Sequence, residues 1–158
     1  MTSLRAPNVL GRSLLLEEGD LVLTEGEGGR DFTFVSGRDN LSQGLRVMIG
    51  TGFGTDVFNV NYGLDMAAIL TTAQTKQAVK DLIRLNLVKS ISQDDRITMI
   101  SEVIFDDDPR YYELMPGEDP NENEIIRRNT RKWQVIVVIQ AVIEGEVALR
   151  LEGTGLNT

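Results

Sequence analysis

Apolar and polar residues alternate near both ends of this chain and follow a helical spacing between them. "DLVLTEG" (20–26) and "DFTFVSG" (31–37) read as short extended runs, and the glycine-rich "EGEGGR" at their junction makes them a hairpin-like pair. In "DNLSQGLRVMIG" (39–50) the apolar Leu41, Leu45, Met48 and Ile49 fall at i, i+4, i+7 and i+8, one face of a helix. Asp39 or Asn40 can cap its start, and Gly50 or Gly52 stands where it should end. "YGLDMAAILT" places Leu64, Ala67 and Ala68 on one face of a short helix. In "TTAQTKQAVKDLIRLNLVKSI", Thr71 with Gln74 resembles a capping box. Val79, Leu82, Ile83 and Leu87 then form an apolar stripe, with Lys76, Lys80, Asp81 and Lys89 mostly off it.

The last third returns to a period of two. In "RITMISEVIF", Ile97, Met99, Val103 and Phe105 point one way; Arg96, Thr98, Ile100, Glu102 and Ile104 point the other. "WQVIVVIQAVI" is apolar on both faces, as a strand inside a sheet or between two packed layers must be. "EGEVALRLEG" sets Val147, Leu149 and Leu151 against Ala148 and Arg150, and Glu144-Gly145 suits a tight hairpin before it. The whole reads as a single α+β domain, central helices packed on a mostly antiparallel sheet. Residues 1–18, with Pro7 and Gly11 and no strong periodicity, read as an N-terminal arm; residues 19–158 read as the domain. Its charged stretch at about 106–132, acidic and then basic, reads as an insertion: a solvated loop, an extended hairpin arm or a binding surface.

Charge and composition remove whole classes of function. The net charge of −8 and pI of about 4.6 oppose nucleic-acid binding. Cysteine and histidine are absent, which excludes disulfides, thiol chemistry and the usual zinc site, and removes the commonest general base. No apolar run has the length of a membrane span, and the first residues lack a secretory pattern. "MIGTGFGTDVF" (48–58) looks like a phosphate loop, but its third glycine is one residue early for G-x-G-x-x-G. It also follows a helix and precedes an extended "DVFNV", the reverse of the order that aims a helix N-terminus at phosphate. No cofactor is expected. Catalysis would fall to carboxylates: Glu17 with Glu18, or Asp106, Asp107 and Asp108. The triplet reads as a solvated turn before Pro109, since it lacks the spaced pattern of a calcium loop, and no metal is expected. Trp133 is a core or layer-edge aromatic, and "IIRRNTRKW" is a basic patch that either balances nearby acids or meets an acidic partner. The final strand closes the chain after a tight turn and carries no proline, so Val147, Ala148, Leu149 and Arg150 can form an unguarded sheet edge.

The order of several short motifs resembles the phage baseplate protein W family, the wedge proteins of contractile tails and related injection particles, with a TssE-like outline. Over roughly 19–151 the correspondences are Thr51 to Gly54 for Thr-x-x-Gly, Asn59 to Gly63 (with one extra residue) for Asn-x-x-Tyr-Gly, and Asp94-Asp95-Arg96 where the family has Glu-Pro-Arg. The resemblance implies a structural, non-enzymatic protein of a tail baseplate or injection particle, assembled in the cytoplasm. Its partners would be sheath protein and other baseplate wedge proteins, with neither nucleic acid nor membrane bound. The sheath would add a strand to the domain's sheet, and Asp94, Asp95 and Arg96 would face the wedge's helical bundle. Locally, Arg96 can equally form an ion pair with its neighbouring aspartates. Two rival readings are a carboxylate-based, lysozyme-like glycan hydrolase and a free-standing regulatory binding module.

Overall fold

The computed structural model describes residues 9–26, 28–72, 75–130, 132–142 and 145–154 of a mixed helix-and-sheet chain. Six short strands come first: β1 (Arg12–Leu14), β2 (Leu16–Glu17), β3 (Asp20–Leu21), β4 (Leu23–Gly26), β5 (Gly29–Phe32) and β6 (Phe34–Ser36). They form three two-stranded antiparallel ribbons, β1–β6, β2–β3 and β4–β5. The expected hairpin is present as β4–β5, but the end of its second run, β6, turns back to pair with β1. Residues 12–17, read from sequence as part of a loose arm, are therefore held in ribbons, and Leu10 is buried. Between β2 and β3, Glu18 and Gly19 both have positive φ, as a two-residue hairpin turn requires.

Helix α1 (Arg38–Gly50) buries Leu41, Leu45, Met48 and Ile49, the face its spacing predicts. It ends at Gly50, one of the two expected glycines, but its caps differ from expectation. Gly37, at φ 67, is the N-cap and gives no side-chain bond. Asn40 is instead turned inward, donating from Nδ2 to Leu10 O at 2.7 Å and accepting from Ser13 Oγ at 2.5 Å. At the far end Thr51 caps in an extended conformation, so no left-handed glycine is needed there. Helix α2 (Met66–Thr72) precedes α3 (Lys76–Ile91), and its buried side is not the expected one: Leu64 is buried but lies before the helix, Ala67 and Ala68 are exposed, and Ile69 is the residue turned into the core. The cap of α3 is Thr75, accepting from Ala78 N at 3.2 Å, four residues after the expected Thr71; Gln74 lies outside the described residues. Val79, Ile83 and Leu87 are buried as expected and Leu82 partly so. Lys80, expected off the stripe, is 7% exposed because it pairs with Asp107 and lies over the Phe105 ring.

Strands β7 (Ile97–Phe105), β8 (Lys132–Ala141) and β9 (Gly145–Thr154) form one antiparallel sheet in that order. The centre of β8, Val135 to Ile139, is buried on both faces, as its unbroken apolar run requires. Val135, Val137 and Ile139 join Leu41, Leu45, Ile83 and Leu87 in one buried cluster; Ile136 and Val138 join Ile104 and Tyr111 in another. The simple alternation expected of β7 fails because its register shifts between Ile97 and Met99 and again between Ile100 and Glu102. Each shift puts two β7 residues against one of β8, so Ile100 packs on the first cluster while Met99 is exposed. The charged insertion is helical. After Asp108 come α4 (Pro109–Leu114) and α5 (Pro120–Thr130), and Tyr111 of α4 is fully buried on the second cluster. The β8–β9 pairing runs from Lys132↔Thr154 to Ala141↔Gly145; the turn residue Glu144 lies outside the described residues.

Candidate partner-docking surfaces

The short motifs quoted from the sequence are neighbours in space. Beyond α1 the chain runs alongside its own later segment: Gly52 and Leu64 form a parallel bridge. Leu64 N donates to Thr51 O at 2.9 Å, Phe53 N to Leu64 O at 3.2 Å, and Gly54 N to Tyr62 O at 3.4 Å. Gly63 makes this possible. Its φ is 105, and a Cβ there would lie 2.5 Å from Thr51 O. Ser90 Oγ then donates to Gly63 O at 2.9 Å, tying the pair of segments to α3. The stretch between them is not the extended run expected. It is a loop of turns in which Asp56 Oδ1 accepts from Phe58 N at 2.8 Å and from Asn59 N at 3.3 Å. At its tip Phe58 is 98% exposed, with Val57 and Val60 beside it in sequence and also exposed.

Asp94 and Arg96 sit at the turn from α3 into β7. Arg96 Nε and Nη2 donate to the two Asp94 oxygens at 2.8 and 2.6 Å, a bidentate pair, and Arg96 N donates to Asp94 Oδ1 at 3.0 Å. Arg96 Nη1 also donates to Leu10 O at 3.2 Å. A Cβ at Gly44 would lie 3.2 Å from Nη2, so the glycine lets the guanidinium rest on α1. Burial alone pushes the Asp94 carboxyl up; the hydrogen bonds and charge of Arg96 outweigh it and hold that carboxyl below its ordinary value. The Tyr62 phenol is raised, by burial first and then by Asp56, with Arg96 opposing. Arg96 thus joins the second motif, α1 and the N-terminal segment from within the chain. Asp95 is exposed.

The β9 edge stands on the opposite side of the sheet. Its backbone direction follows from β8, whose groups point alternately to its two neighbours. Gln134 O accepts from Asp106 N, at the end of β7, at 3.1 Å, so Gln134 faces β7. By alternation Val138 and Gln140 also face β7, and their β9 partners Ala148 and Glu146 face outward. Among the described residues no strand pairs with that outer side. The side chains of Leu149 and Val147 are directed to the first cluster, and Arg150 pairs with Glu118. What this edge offers a partner is therefore main chain. A cleft of about 410 Å³ lies beside it, lined by Arg46, Ile49, Gly50, Arg150 and Leu151.

Of the carboxylates weighed for catalysis, Asp107 and Asp108 have partners close by. Glu17 and Glu18 are exposed at the β2–β3 turn. Asp106 is buried and Tyr112 OH donates to its carbonyl at 2.5 Å; Asp107 takes Lys80; Asp108 caps α4 by accepting from Arg110 N at 3.0 Å, with Pro109 at its first turn. Among the described residues no three carboxylates are grouped to hold a metal ion. Sequence reasoning missed a polar cluster beneath the insertion. Tyr111 OH meets Gln134 Oε1 at 2.9 Å and Glu118 Oε2 at 3.3 Å, and Asn123 Nδ2 donates to Glu118 Oε2 at 2.8 Å. Burial raises the Tyr111 phenol well above its ordinary value. The available signal was the pair Tyr111-Tyr112 inside a stretch otherwise too polar to pack. Trp133 is buried against Phe105, ring centroids 6.3 Å apart. Of the basic patch, the side chains of Arg127 and Arg128 lie outside what is described, while Ile125 is exposed. No protein-family model matches the chain, and no curated protein is found to be similar to it.

Proposed function

We propose that this protein is a structural wedge component of a contractile injection machine, a phage tail or related particle, and that it joins the wedge's helical bundle to the sheath by strand addition. The observation that carries this reading is the outward-facing, proline-free edge of β9, with a cleft alongside it. A partner strand there gains main-chain hydrogen bonds, and the cleft can take its side chains. The gathering of the three short motifs around Gly63, Tyr62 and Arg96 supports the family resemblance, since residues far apart in sequence then serve one place. The exposed Phe58 beside them is an aromatic anchor for the wedge. In this reading the chain is one α+β domain, its helices lying on a central sheet, and it works in the baseplate without cofactor or catalysis.

The experiment is Ala148→Pro in assembling particles. Ala148 N faces outward, so proline removes a donor that an added strand would use. The variant is expected to fold, enter the wedge and fail to recruit sheath. Wild-type sheath recruitment by a folded variant would place the sheath elsewhere. Purified protein is further expected to leave peptidoglycan intact; turnover abolished by a single Asp or Glu substitution would instead establish the hydrolase.

A further inference from the structure

The three N-terminal ribbons meet at a closed ring of backbone hydrogen bonds. Leu15 N donates to Thr33 O at 2.8 Å, Thr33 N to Val22 O at 2.9 Å, and Val22 N to Leu15 O at 3.0 Å. Each junction residue is flanked in sequence by large apolar residues, and the register pairs them across the ribbons: Leu14↔Phe34, Leu16↔Leu21 and Leu23↔Phe32. Strand side chains alternate between faces, so these six share the face opposite Leu15, Val22 and Thr33. The other face rests on α1. Ser13 Oγ donates to Asn40, and Gln43 donates from Nε2 to Leu14 O at 2.8 Å while accepting from Leu16 N at 2.9 Å. The apolar face is turned away from that support. Leu21, Leu23, Phe32 and Phe34 are each between 42% and 49% exposed.

Charge selects the occupant. Between residues 12 and 36 there are six carboxylates against two arginines. Arg12 is committed to the Phe34 ring at 3.9 Å, and Arg30 lies 3.8 Å from Glu25. Glu17, Glu18 and Asp20 make the β2–β3 tip acidic, and no lysine stands anywhere in these ribbons. A second copy would bring one acidic rim against another, and an anionic bilayer would be repelled. We infer that this three-ribbon platform is a second docking face, separate from the β9 edge, that takes a partner polypeptide presenting apolar side chains ringed by lysine or arginine.

The test uses the purified full chain and two short peptides with leucines at helical spacing, one filled in with lysine and the other with glutamate. The lysine peptide is expected to bind saturably and to weaken as salt rises, while the glutamate peptide binds at least about tenfold more weakly, a difference of about 1.4 kcal/mol. Leu23→Ser with Phe32→Ser should reduce lysine-peptide binding by at least about tenfold, the effect of losing an apolar anchor. Both positions are half exposed, so circular dichroism should be unchanged. Glu17→Lys with Glu18→Lys leaves the apolar face intact and should shift preference toward the glutamate peptide. Ala148→Pro should leave peptide binding unaltered, which separates this face from the sheet edge. The proposal is overturned by absence of saturable binding, by equal binding of the two peptides, or by equal binding to wild type and the serine variant. It is equally overturned if the serine substitutions abolish a dimer seen by sedimentation, or abolish binding to anionic vesicles.

Discussion

β7 and β9 are the two edges of the same three-stranded sheet, and they are finished in different ways. β7 is interrupted by two register shifts, at Thr98 and Ser101, and α4 folds against its end. Bulges twist an edge and spoil its hydrogen-bonding row, so an incoming strand finds no regular template there. β9 pairs with β8 over ten consecutive residues without a shift. Its outer groups keep the regular spacing that an added strand needs. Two edges built from equally ordinary β sequence thus differ in the regularity of the backbone row they present, and the difference lies in register rather than composition.

The largest expected effect in a chain that still folds comes from stripping α4 from the sheet face formed by Ile104, Ile136 and Val138. Tyr111→Ala removes a fully buried ring and its bonds to Gln134 and Glu118. A loss of about 3–5 kcal/mol is expected, as for other buried aromatics, and urea denaturation measures it. An unchanged midpoint would mean that α4 is not what closes this face.

Next comes the turn that launches β7. Asp94→Asn removes one charge of the bidentate pair with Arg96, and a loss of about 2 kcal/mol at neutral pH is expected. The sign of its pH dependence is fixed. Asp94 is held below its ordinary value in the folded chain, so its contribution is full above about pH 4, the unfolded value, and is lost as pH falls through the lower folded one. Wild type should therefore lose stability more steeply than Asp94→Asn on acidification below about pH 4. Parallel slopes in acid melts would show that the pair adds nothing to the turn.

Ala148→Pro sharpens the contrast directly. Because Ala148 N faces outward, proline there removes no ladder hydrogen bond to β8 and the free chain should lose less than the ~1 kcal/mol such a bond is worth, while proline at Val137 in the buried central strand should prevent folding. Equal losses at both positions, measured by thermal melts, would mean that β9 is not an open edge. Smallest of all is Glu102→Gln on β7, which weakens the bidentate contact from Arg110. Both partners are substantially exposed, so Tm should not move measurably.

Local sequence was enough to place the buried faces of α1 and α3, the doubly buried β8 and its pairing with β9, because the periods of helix and strand are written in consecutive residues; it failed for the short α2, whose two-turn length leaves the period undetermined. It also set the acidic character and the lack of histidine and cysteine chemistry. Residues whose role depends on a distant partner were not legible. Nothing near Lys80 shows that Asp107 will bury it, and nothing near Asn40 shows that it will hold Leu10 rather than cap its own helix. The glycines show the same limit: the pattern drew attention to Gly50 and Gly52, whereas close packing against Thr51 makes Gly63 the position that cannot carry a side chain. Asp94 and Arg96 could be recognised as a pair, but only the fold turned the guanidinium onto Gly44 and Leu10. The broken register of β7 and the unbroken register of β9 were likewise decided by tertiary structure, since a register shift exists only between elements, and periodicity along one element carries no information about it.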